Sequence, residues 1–338
     1  MMKKVLVTGG LGTVGKAVVA RLVGKGYAVR VIDRQPEAGL EGVEYTACDI
    51  TDYPALRQQV RGCSGIIHLA ALPQPSSSTA EEIYRINTAG TFNVFQAAAA
   101  EGIRRVVQAS SINALGLYWG PVEVQPHYFP LDEEHPSFTT DVYSFSKYMV
   151  EAIGAYFWRR EGISSAALRL PSVLPAQVHA RMPQQRDAMR QIVDRLLAMP
   201  VEQRRLWLES RYHIFRQIRQ QRKLEDRDFW QQVRSPDSPL DVEARLVTLS
   251  KYNFWAAIDE RDSAQAFEKA LVASYEGSHP LHVQDRYNTV GIESELLLSL
   301  FFPEVSQRKH LLVGTESLVS LARAQQIIGF EPEFSFLK

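Results

Sequence analysis

The 338-residue chain has little cysteine, no net charge and no long apolar run. Its two cysteines, Cys48 and Cys63, lack the spacing of a metal-binding pair, so we expect reduced thiols. Lysine plus arginine and aspartate plus glutamate number 38 each, which gives no overall bias toward nucleic acid. No run approaches the roughly 18 apolar residues of a membrane span, and the first strand pattern starts at Lys3, too early for a signal peptide. These absences predict a cytoplasmic protein without a metal, nucleic-acid or membrane partner.

Glycine is absent between Ile163 and Glu276, although the chain contains 20 glycines. Within this stretch, residues 181–234 carry apolar side chains at helical spacing, which predicts two or three amphipathic helices. Basic residues outnumber acidic ones there. The excess fits solvated helical faces, or a lid whose arginines attract an anionic substrate, with nucleic-acid binding as a third interpretation.

The amino-terminal stretch, in contrast, is rich in glycine. Val5–Val7 form an apolar run typical of a buried parallel strand, and Gly9, Gly12 and Gly15 follow before a helical pattern begins. Such a strand–turn–helix unit presents backbone N–H groups and the helix dipole to a pyrophosphate. A second strand ends at Asp33, whose carboxylate is placed to bind the adenosine ribose. This carboxylate favours NAD over NADP, although Arg34 beside it could accommodate a 2′-phosphate.

Strand and helix patterns alternate over the first half of the chain and again near its end, which predicts βαβ units. The predicted strands lie at 28–32, 43–47, 65–69, 105–109, 166–170, 253–258 and 279–283, and the predicted helices at 53–60, 81–100, 142–160, 260–273 and 315–328. The expected fold class is α/β, a Rossmann-type doubly wound parallel sheet with a smaller, mainly helical carboxyl-terminal substrate domain. We place the NAD-binding domain at 1–172 with a return segment at about 245–275, and the substrate domain at 173–244 and 276–338, including the helical insertion 181–234.

Tyr143 and Lys147 stand four residues apart on one predicted helix, so their side chains share a face. A free phenol has a pKa of about 10, and a nearby ammonium group is expected to lower it. The pair could therefore accept a proton from an alcohol that loses hydride, or donate one to a carbonyl that gains it. Ser111, at the end of the fifth strand, is expected to hydrogen-bond the reacting oxygen.

Taken together, these motifs resemble the extended short-chain dehydrogenases/reductases of the NAD-dependent epimerase/dehydratase family. The matching segments are Thr8–Gly15, Asp33, Asp49-Ile50, His68–Ala71, Asn87, Ala109–Ser111, Tyr143–Lys147 and Arg169. The resemblance covers roughly residues 1–175 and leaves the insertion unmatched. It implies a catalytic set of Ser111, Tyr143, Lys147 and Asn87, with Asn87 supporting a proton relay or simply bonding local backbone. His68 is expected to be a core histidine with satisfied ring nitrogens.

The same resemblance implies a cofactor-binding set and a homodimer. The cofactor-binding residues are Gly9, Gly12, Thr13, Val14, Gly15, Asp33, Arg34, Asp49, Ile50, Leu69, Ala70, Ala71, Lys147 and Pro171. In similar proteins, helices equivalent to 81–100 and 142–160 pair across a two-fold axis, so we expect a homodimer.

Departures from the family pattern narrow the expected reaction. Ile112 and Asn113 follow Ser111 where dehydratases of this family carry an Asp-Glu pair, which disfavours dehydration. Ser172 stands where many nucleotide-sugar epimerases carry Asn, and together with Asn113 it resembles the uronate dehydrogenases. The candidate substrate contacts are Gln74, Ser111, Asn113, Tyr143, Ser172 and residues 119–128.

Three functional hypotheses follow from this pattern. The first is an NAD-dependent oxidoreductase that transfers hydride at a hydroxyl carbon of a carbohydrate-like substrate. The second is a nucleotide-sugar epimerase with tightly bound NAD. The third is a non-catalytic NAD-binding protein whose insertion docks a partner.

Overall fold

A seven-stranded parallel sheet organises the computed structural model, which describes residues 4–36, 39–221, 233, 235 and 237–337. Its strands are β1 (Lys4–Thr8), β2 (Ala28–Asp33), β3 (Glu44–Ala47), β4 (Gly65–His68), β5 (Arg105–Ser111), β6 (Ser164–Leu170) and β9 (Ser278–His282). They lie in the order β3-β2-β1-β4-β5-β6-β9, and every neighbouring pair is parallel. Two short strands, β7 (Ser172–Leu174) and β8 (Ala257–Asp259), form a separate parallel pair. The order reverses at β1, where ligands bind in such sheets.

Helices cover both faces of the large sheet. The α-helices are α1 (Thr13–Gly24), α2 (Tyr53–Val60), α3 (Ala80–Tyr84), α4 (Gly90–Ala100), α5 (Val142–Glu161), α6 (Met182–Ala198), α7 (Val201–Gln221), α8 (Val242–Tyr252), α9 (Glu260–Val272), α10 (Ser294–Phe301) and α11 (Ala322–Ile328). One apolar core joins the sheet to α1, α9 and α11, and a second joins it to α2, α4 and α5. The predicted doubly wound α/β fold is therefore confirmed. None of the described helices is both long and apolar enough to cross a bilayer.

A third core lies outside the sheet. It joins apolar residues of α6, α7 and α10 to the segments around Phe129 and Trp255, both of them fully buried. Helices α6 and α7 confirm the predicted helical character of the insertion over the residues described. The part of that prediction covering 222–232 and 234 lies outside them. The domain boundaries proposed from the sequence stay a prediction.

The predicted long helix over 81–100 is present, and its middle is a π-helical turn. Helix α3 ends at Tyr84, a π-helical turn covers Arg85–Ala89, and α4 starts at Gly90. In this turn, Asn87 uses its side chain to hold the backbone of Leu72. A π-turn adds a residue to the helix without ending it, so the apolar periodicity alone gave no sign of it.

Two predicted elements in the second half are also corrected. The predicted strand 253–258 is mostly a turn, because Asn253 caps α8, a helix that was not predicted, and Phe254 and Trp255 take positive φ values of 55° and 48°. The predicted helix at 315–328 begins only at Ala322, although it ends at Gly329 as expected. In both segments, tertiary packing overrides the local pattern.

Candidate active site

The glycine turn after β1 is built for close backbone contact. Gly9 has a φ of +72°, and a Cβ there would lie 2.5 Å from the backbone N of Ala70. A Cβ on Gly15 would lie 2.3 Å from the carbonyl oxygen of Gly9. Gly12 differs, because its Cβ would meet nothing nearer than 3.5 Å. Packing within the chain thus requires glycine at positions 9 and 15. At position 12 packing would allow a side chain, and glycine there leaves the backbone open to a ligand.

A groove of about 370 Å³ runs along this turn at the carboxyl ends of β1, β2 and β4. All but two of the predicted cofactor residues line it: Gly9, Gly12, Thr13, Val14, Gly15, Asp33, Arg34, Asp49, Ile50, Leu69, Ala70 and Ala71. Lys147 and Pro171 are not among its lining residues. Seven further residues line the groove and were not predicted: Leu11, Ile32, Gln35, Cys48, Leu72, Pro73 and Ile86.

The groove suits a dinucleotide. Asp33 stands at the end of β2, where its carboxylate accepts hydrogen bonds from the backbone N–H groups of Leu11 at 3.1 Å and Arg34 at 2.8 Å. These bonds hold the carboxylate against the glycine turn. The open face at Gly12 and the start of α1 at Thr13 provide room and N–H donors for a phosphate. Asp49 instead uses one oxygen to accept from the backbone and hydroxyl of Thr51, both at 2.8 Å.

Ser111 and Tyr143 meet where β5 ends and α5 begins. The Ser111 hydroxyl caps a 3₁₀ turn by accepting from the backbone N–H of Asn113 at 3.2 Å, and it lies 3.4 Å from the Leu170 carbonyl oxygen. Tyr143 is 6% exposed. Burial raises the pKa of Tyr143 to about 12; Ser111 lowers this pKa by hydrogen bonding, and the nearby Asp141 carboxylate raises it. The two hydroxyls therefore form one buried polar site.

Lys147 lies one helical turn after Tyr143. Its Nζ donates to the carbonyl oxygen of Ala109 at 2.9 Å and lies 5.9 Å from the centroid of the Tyr143 ring. Burial lowers the pKa of Lys147 to about 8, while the Glu151 carboxylate opposes that shift. The pKa of Tyr143 is therefore raised and not lowered as expected, because burial of the phenol is the largest influence on it.

Asn87 and His68 are both fully engaged inside the fold. The Asn87 amide donates to the Leu72 carbonyl at 3.1 Å and to Ser146 Oγ at 2.9 Å, and its oxygen accepts from the Leu72 N–H at 2.8 Å. It thus ties α5 to the segment after β4. His68 contacts Thr8 Oγ1 at 2.7 Å and Thr91 Oγ1 at 3.0 Å, and burial lowers its pKa to about 3. These contacts favour the core-histidine interpretation of His68 and the local-backbone interpretation of Asn87.

The predicted substrate residues have different surroundings. The Asn113 side-chain oxygen is buried without a hydrogen-bond partner in the described structure. Ser172 is exposed, and its hydroxyl lies 3.4 Å from the amide nitrogen of Asn253, a neighbour that the sequence gave no reason to select. Gln74 is exposed and caps a 3₁₀ turn at Pro75–Ser77. Asn113 thus carries an unused acceptor two residues after Ser111, whereas Gln74 uses its backbone to begin the 3₁₀ turn.

A buried charged network lies behind Lys147. Arg169 donates to both oxygens of Glu151, at 2.9 and 2.8 Å, and Ser110 donates to the same carboxylate at 2.6 Å. The side chains of Arg169 and Glu151 are 5% and 10% exposed. Tyr143, Lys147 and Glu151 follow one another at intervals of four on α5, so the helical spacing could have revealed Glu151.

Comparison with known proteins identifies the family. Residues 5–214 match the model of the NAD dependent epimerase/dehydratase family. A uronate dehydrogenase of Pseudomonas putida is 30% identical over 181 residues, which are 53% of this chain and 64% of that protein. A UDP-glucose 4-epimerase of Bos taurus is 34% identical over 173 residues, 45% of this chain and 47% of that protein. The matched part thus spans less than two thirds of either relative.

Solved structures agree on the fold. A short-chain dehydrogenase/reductase superfamily protein from Agrobacterium tumefaciens, solved with bound NAD, has a TM-score of 0.64 at 20% identity, covering 98% of this chain and 93% of that one. The family match extends over more than half of the sequence and includes the glycine turn, Ser111, Tyr143 and Lys147. The chain therefore belongs to the NAD-dependent epimerase/dehydratase family.

Proposed function

We propose that this protein is an NAD-dependent oxidoreductase that acts at a hydroxyl carbon of a sugar-like substrate, with Ser111, Tyr143 and Lys147 as its catalytic residues. The observation that carries the proposal is the convergence of the Ser111 and Tyr143 hydroxyls, with Lys147 one turn away, at the strand ends next to the glycine-lined groove. Family membership supports the reaction class.

The three side chains have separate tasks in this proposal. Ser111 hydrogen-bonds the reacting oxygen and fixes its distance from Tyr143. Tyr143 exchanges the proton with that oxygen through its hydroxyl. Because burial raises its pKa to about 12, the phenol is set to donate, and it needs the positive charge of Lys147 to accept. A bound nicotinamide dinucleotide supplies the hydride acceptor.

NAD is the proposed cofactor. Its adenosine ribose would lie near Asp33, whose carboxylate is held against the glycine turn and would repel a 2′-phosphate. Gly12, Thr13 and the N-terminus of α1 would hold the pyrophosphate. Lys147 and Pro171 would contact the nicotinamide half, beyond the groove described above.

A carbohydrate-like substrate is supported by two observations. The buried side-chain oxygen of Asn113 has no described partner and lies two residues from Ser111, where it can accept from a substrate hydroxyl. The relatives include a uronate dehydrogenase and a UDP-glucose 4-epimerase. We place Ser172 and the segment 119–128 on the same substrate side, with Gln74 at its edge.

The epimerase relative, which has the higher identity of the two, favours a second candidate. A nucleotide-sugar epimerase would retain NAD and return the hydride to the other face of the substrate. Ser172 argues against it, because many such epimerases carry Asn at that position. A non-catalytic NAD-binding protein, the third hypothesis, would bind the dinucleotide and turn over no substrate.

The Tyr143→Phe variant tests the proposal. Wild type and variant are assayed with NAD on uronic acids, free aldoses and UDP-sugars, with NADH formation and epimer formation both measured. We expect NADH formation by the wild type on a non-nucleotide sugar, a loss of about 10²–10⁴-fold in Tyr143→Phe, and unchanged NAD binding. Full activity of the variant would refute the catalytic role of Tyr143. Epimer without net NADH would establish the second candidate, and NAD binding without turnover the third.

We also propose a homodimer formed through α4 and α5. Both helices expose aromatic side chains, and Phe92 stacks on Tyr156 with centroids 6.1 Å apart. Phe145 and Tyr148 are 41% and 44% exposed on the same helix as Tyr156. A second copy covering these side chains would remove apolar surface from water. Sedimentation of the full chain at the monomer mass would refute this assembly.

A further inference from the structure

A cavity of about 230 Å³ in the helical part of the chain has no role in the proposed reaction. One face of α7 forms a wall, and the last turn of α8 and the end of α10 form the others. The lining side chains that matter here are Arg204, Arg205, Leu208, Tyr212, Arg216 and Lys251. The cavity is distinct from the groove beside β1, since no residue lines both.

Two buried polar groups form the inner end of this cavity. Tyr212 is 7% exposed, and its hydroxyl has no hydrogen-bond partner among the described residues. Lys251 is 3% exposed, and its Nζ lies 4.0 Å from the centroid of the Tyr212 ring. The carboxylate of Glu123 is 3.9 Å from this Nζ, which is an ion pair but too long for a hydrogen bond.

In this buried arrangement, the Tyr212 hydroxyl and the Lys251 ammonium group lack close hydrogen-bond acceptors among the described residues, and this lowers the stability of the fold. A buried hydroxyl without a partner and a buried ammonium without a close acceptor each carry a desolvation penalty. Burial lowers the pKa of Lys251, as expected for an ammonium with too little compensation. An acceptor with two oxygens, entering from the cavity, would satisfy both donors at once.

The rest of the cavity favours an anion with an apolar body. Leu208 and Phe301 contribute apolar wall. The cavity lining includes four basic side chains, and carboxylates of Glu123, Glu202 and Glu209 pair with Arg216 and Arg205. Among the basic residues of the lining, Arg204 and Lys251 therefore remain without a close ion pair in the described part of the chain. The arginines already donate elsewhere: Arg204 to the Leu196 carbonyl at 2.8 Å, Arg205 to Glu202, and Arg216 to Glu123 and Glu209. They therefore do not offer the many free donors that a phosphate requires, and the Lys251 ammonium is the charge next to the unpartnered Tyr212 hydroxyl.

We propose that this cavity binds a small organic carboxylate, with the carboxylate oxygens on Lys251 Nζ and the Tyr212 hydroxyl and the apolar body against Leu208 and Phe301. The site is separate from the proposed catalytic one and does not depend on it. Its ligand class follows from two adjacent buried donors, one of them an ammonium group, beside an apolar wall.

Titration calorimetry on the full chain tests this site. Benzoate and hexanoate are the probes, benzamide and hexanol their uncharged counterparts, and inorganic phosphate the simple anion. We expect at least one carboxylate to bind saturably with a millimolar or lower Kd, and at least tenfold more tightly than its uncharged counterpart and than phosphate. Lys251→Met should weaken carboxylate binding at least tenfold, and Tyr212→Phe about threefold or more. Lys25→Met, the same change on an exposed lysine after α1, should leave it unchanged.

Several outcomes would overturn the proposal. They are no saturable binding of either carboxylate, equal binding of the uncharged counterparts, phosphate binding as tightly as the carboxylates, and undiminished binding by Lys251→Met and Tyr212→Phe. Tyr212→Phe keeps the ring and removes only the hydroxyl, so it tests the site even where Lys251→Met folds poorly. Binding at the proposed catalytic site would be insensitive to either substitution and is thereby distinguished.

Discussion

Each half of the molecule contains a buried lysine beside a tyrosine, and the two pairs differ in how the ammonium group is held. Lys147 donates to the Ala109 carbonyl at 2.9 Å and stays 5.9 Å from the Tyr143 ring. Lys251 lies over the Tyr212 ring at 4.0 Å and donates no hydrogen bond to a described residue. In the sheet half, backbone at a strand end fixes the charge, which suits chemistry that needs a constant geometry. In the helical half, only the Tyr212 ring and the more distant Glu123 carboxylate face the charge, and this is where we propose that a carboxylate binds.

The largest expected effect concerns Lys147. If its fixed charge supports proton exchange by Tyr143, Lys147→Met should lower turnover by about 10²–10³-fold, with NAD binding weakened less. Steady-state kinetics on the substrate found with the wild type measures this, and Lys25→Met is the matched control. Near-normal turnover of Lys147→Met would show that the fixed charge of Lys147 does not support catalysis. The two lysines would then differ only in their buried surroundings.

The candidate site of the sheet half could be predicted because its residues are close together in the sequence. Gly9, Gly12 and Gly15 are spaced for one turn, and Tyr143 and Lys147 for one helical face, so short-range spacing is enough. The strand ends bring Asp33 and Ser111 to the same edge of the sheet once parallel pairing is assumed. The fold and the groove lining follow from these few rules.

The helical half could not be predicted in the same way. Tyr212 and Lys251 belong to helices α7 and α8, and only tertiary packing brings them together. Phe254 and Trp255 take positive φ, a conformation that aromatic residues rarely adopt, because burial of both rings in the third core outweighs the backbone cost. Glycine would have marked such a turn, but this stretch contains none.

Because Lys147 is buried, we expect the free energy of unfolding to change as the pH is raised. Its pKa is about 8 in the folded protein against 10.5 as its ordinary value, so the unfolded chain binds more protons between these values. The free energy of unfolding of the wild type, relative to that of Lys147→Met, should therefore rise from pH 8 to 10.5 and stay flat below pH 8, where both states are protonated. The full change is about 3 kcal/mol. Urea titrations at several pH values measure it.

A flat difference between pH 7 and 10 would show that the Lys147 ammonium is as well solvated as in the unfolded chain. The same series on Lys251→Met sharpens the comparison of the two halves. Burial lowers the pKa of Lys251 as well, but Glu123 and Glu304 oppose the shift. We therefore expect a rise of the same sign, and a bound carboxylate should reduce it by stabilising the charged form.

The smallest expected effects separate packing from ligand contact within the glycine turn. In Gly15→Ala, the new Cβ would lie 2.3 Å from the Gly9 carbonyl oxygen, so the turn must shift and stability should fall by about 1–3 kcal/mol. In Gly12→Ala, the nearest atom is 3.5 Å away, so stability should stay within about 0.5 kcal/mol while NAD binding weakens about tenfold. Urea denaturation measures the stability of both variants, and NAD titration measures their affinity for NAD. Unchanged NAD affinity in a fully stable Gly12→Ala would mean that the dinucleotide phosphate does not approach this face, and the groove would then lose its proposed ligand.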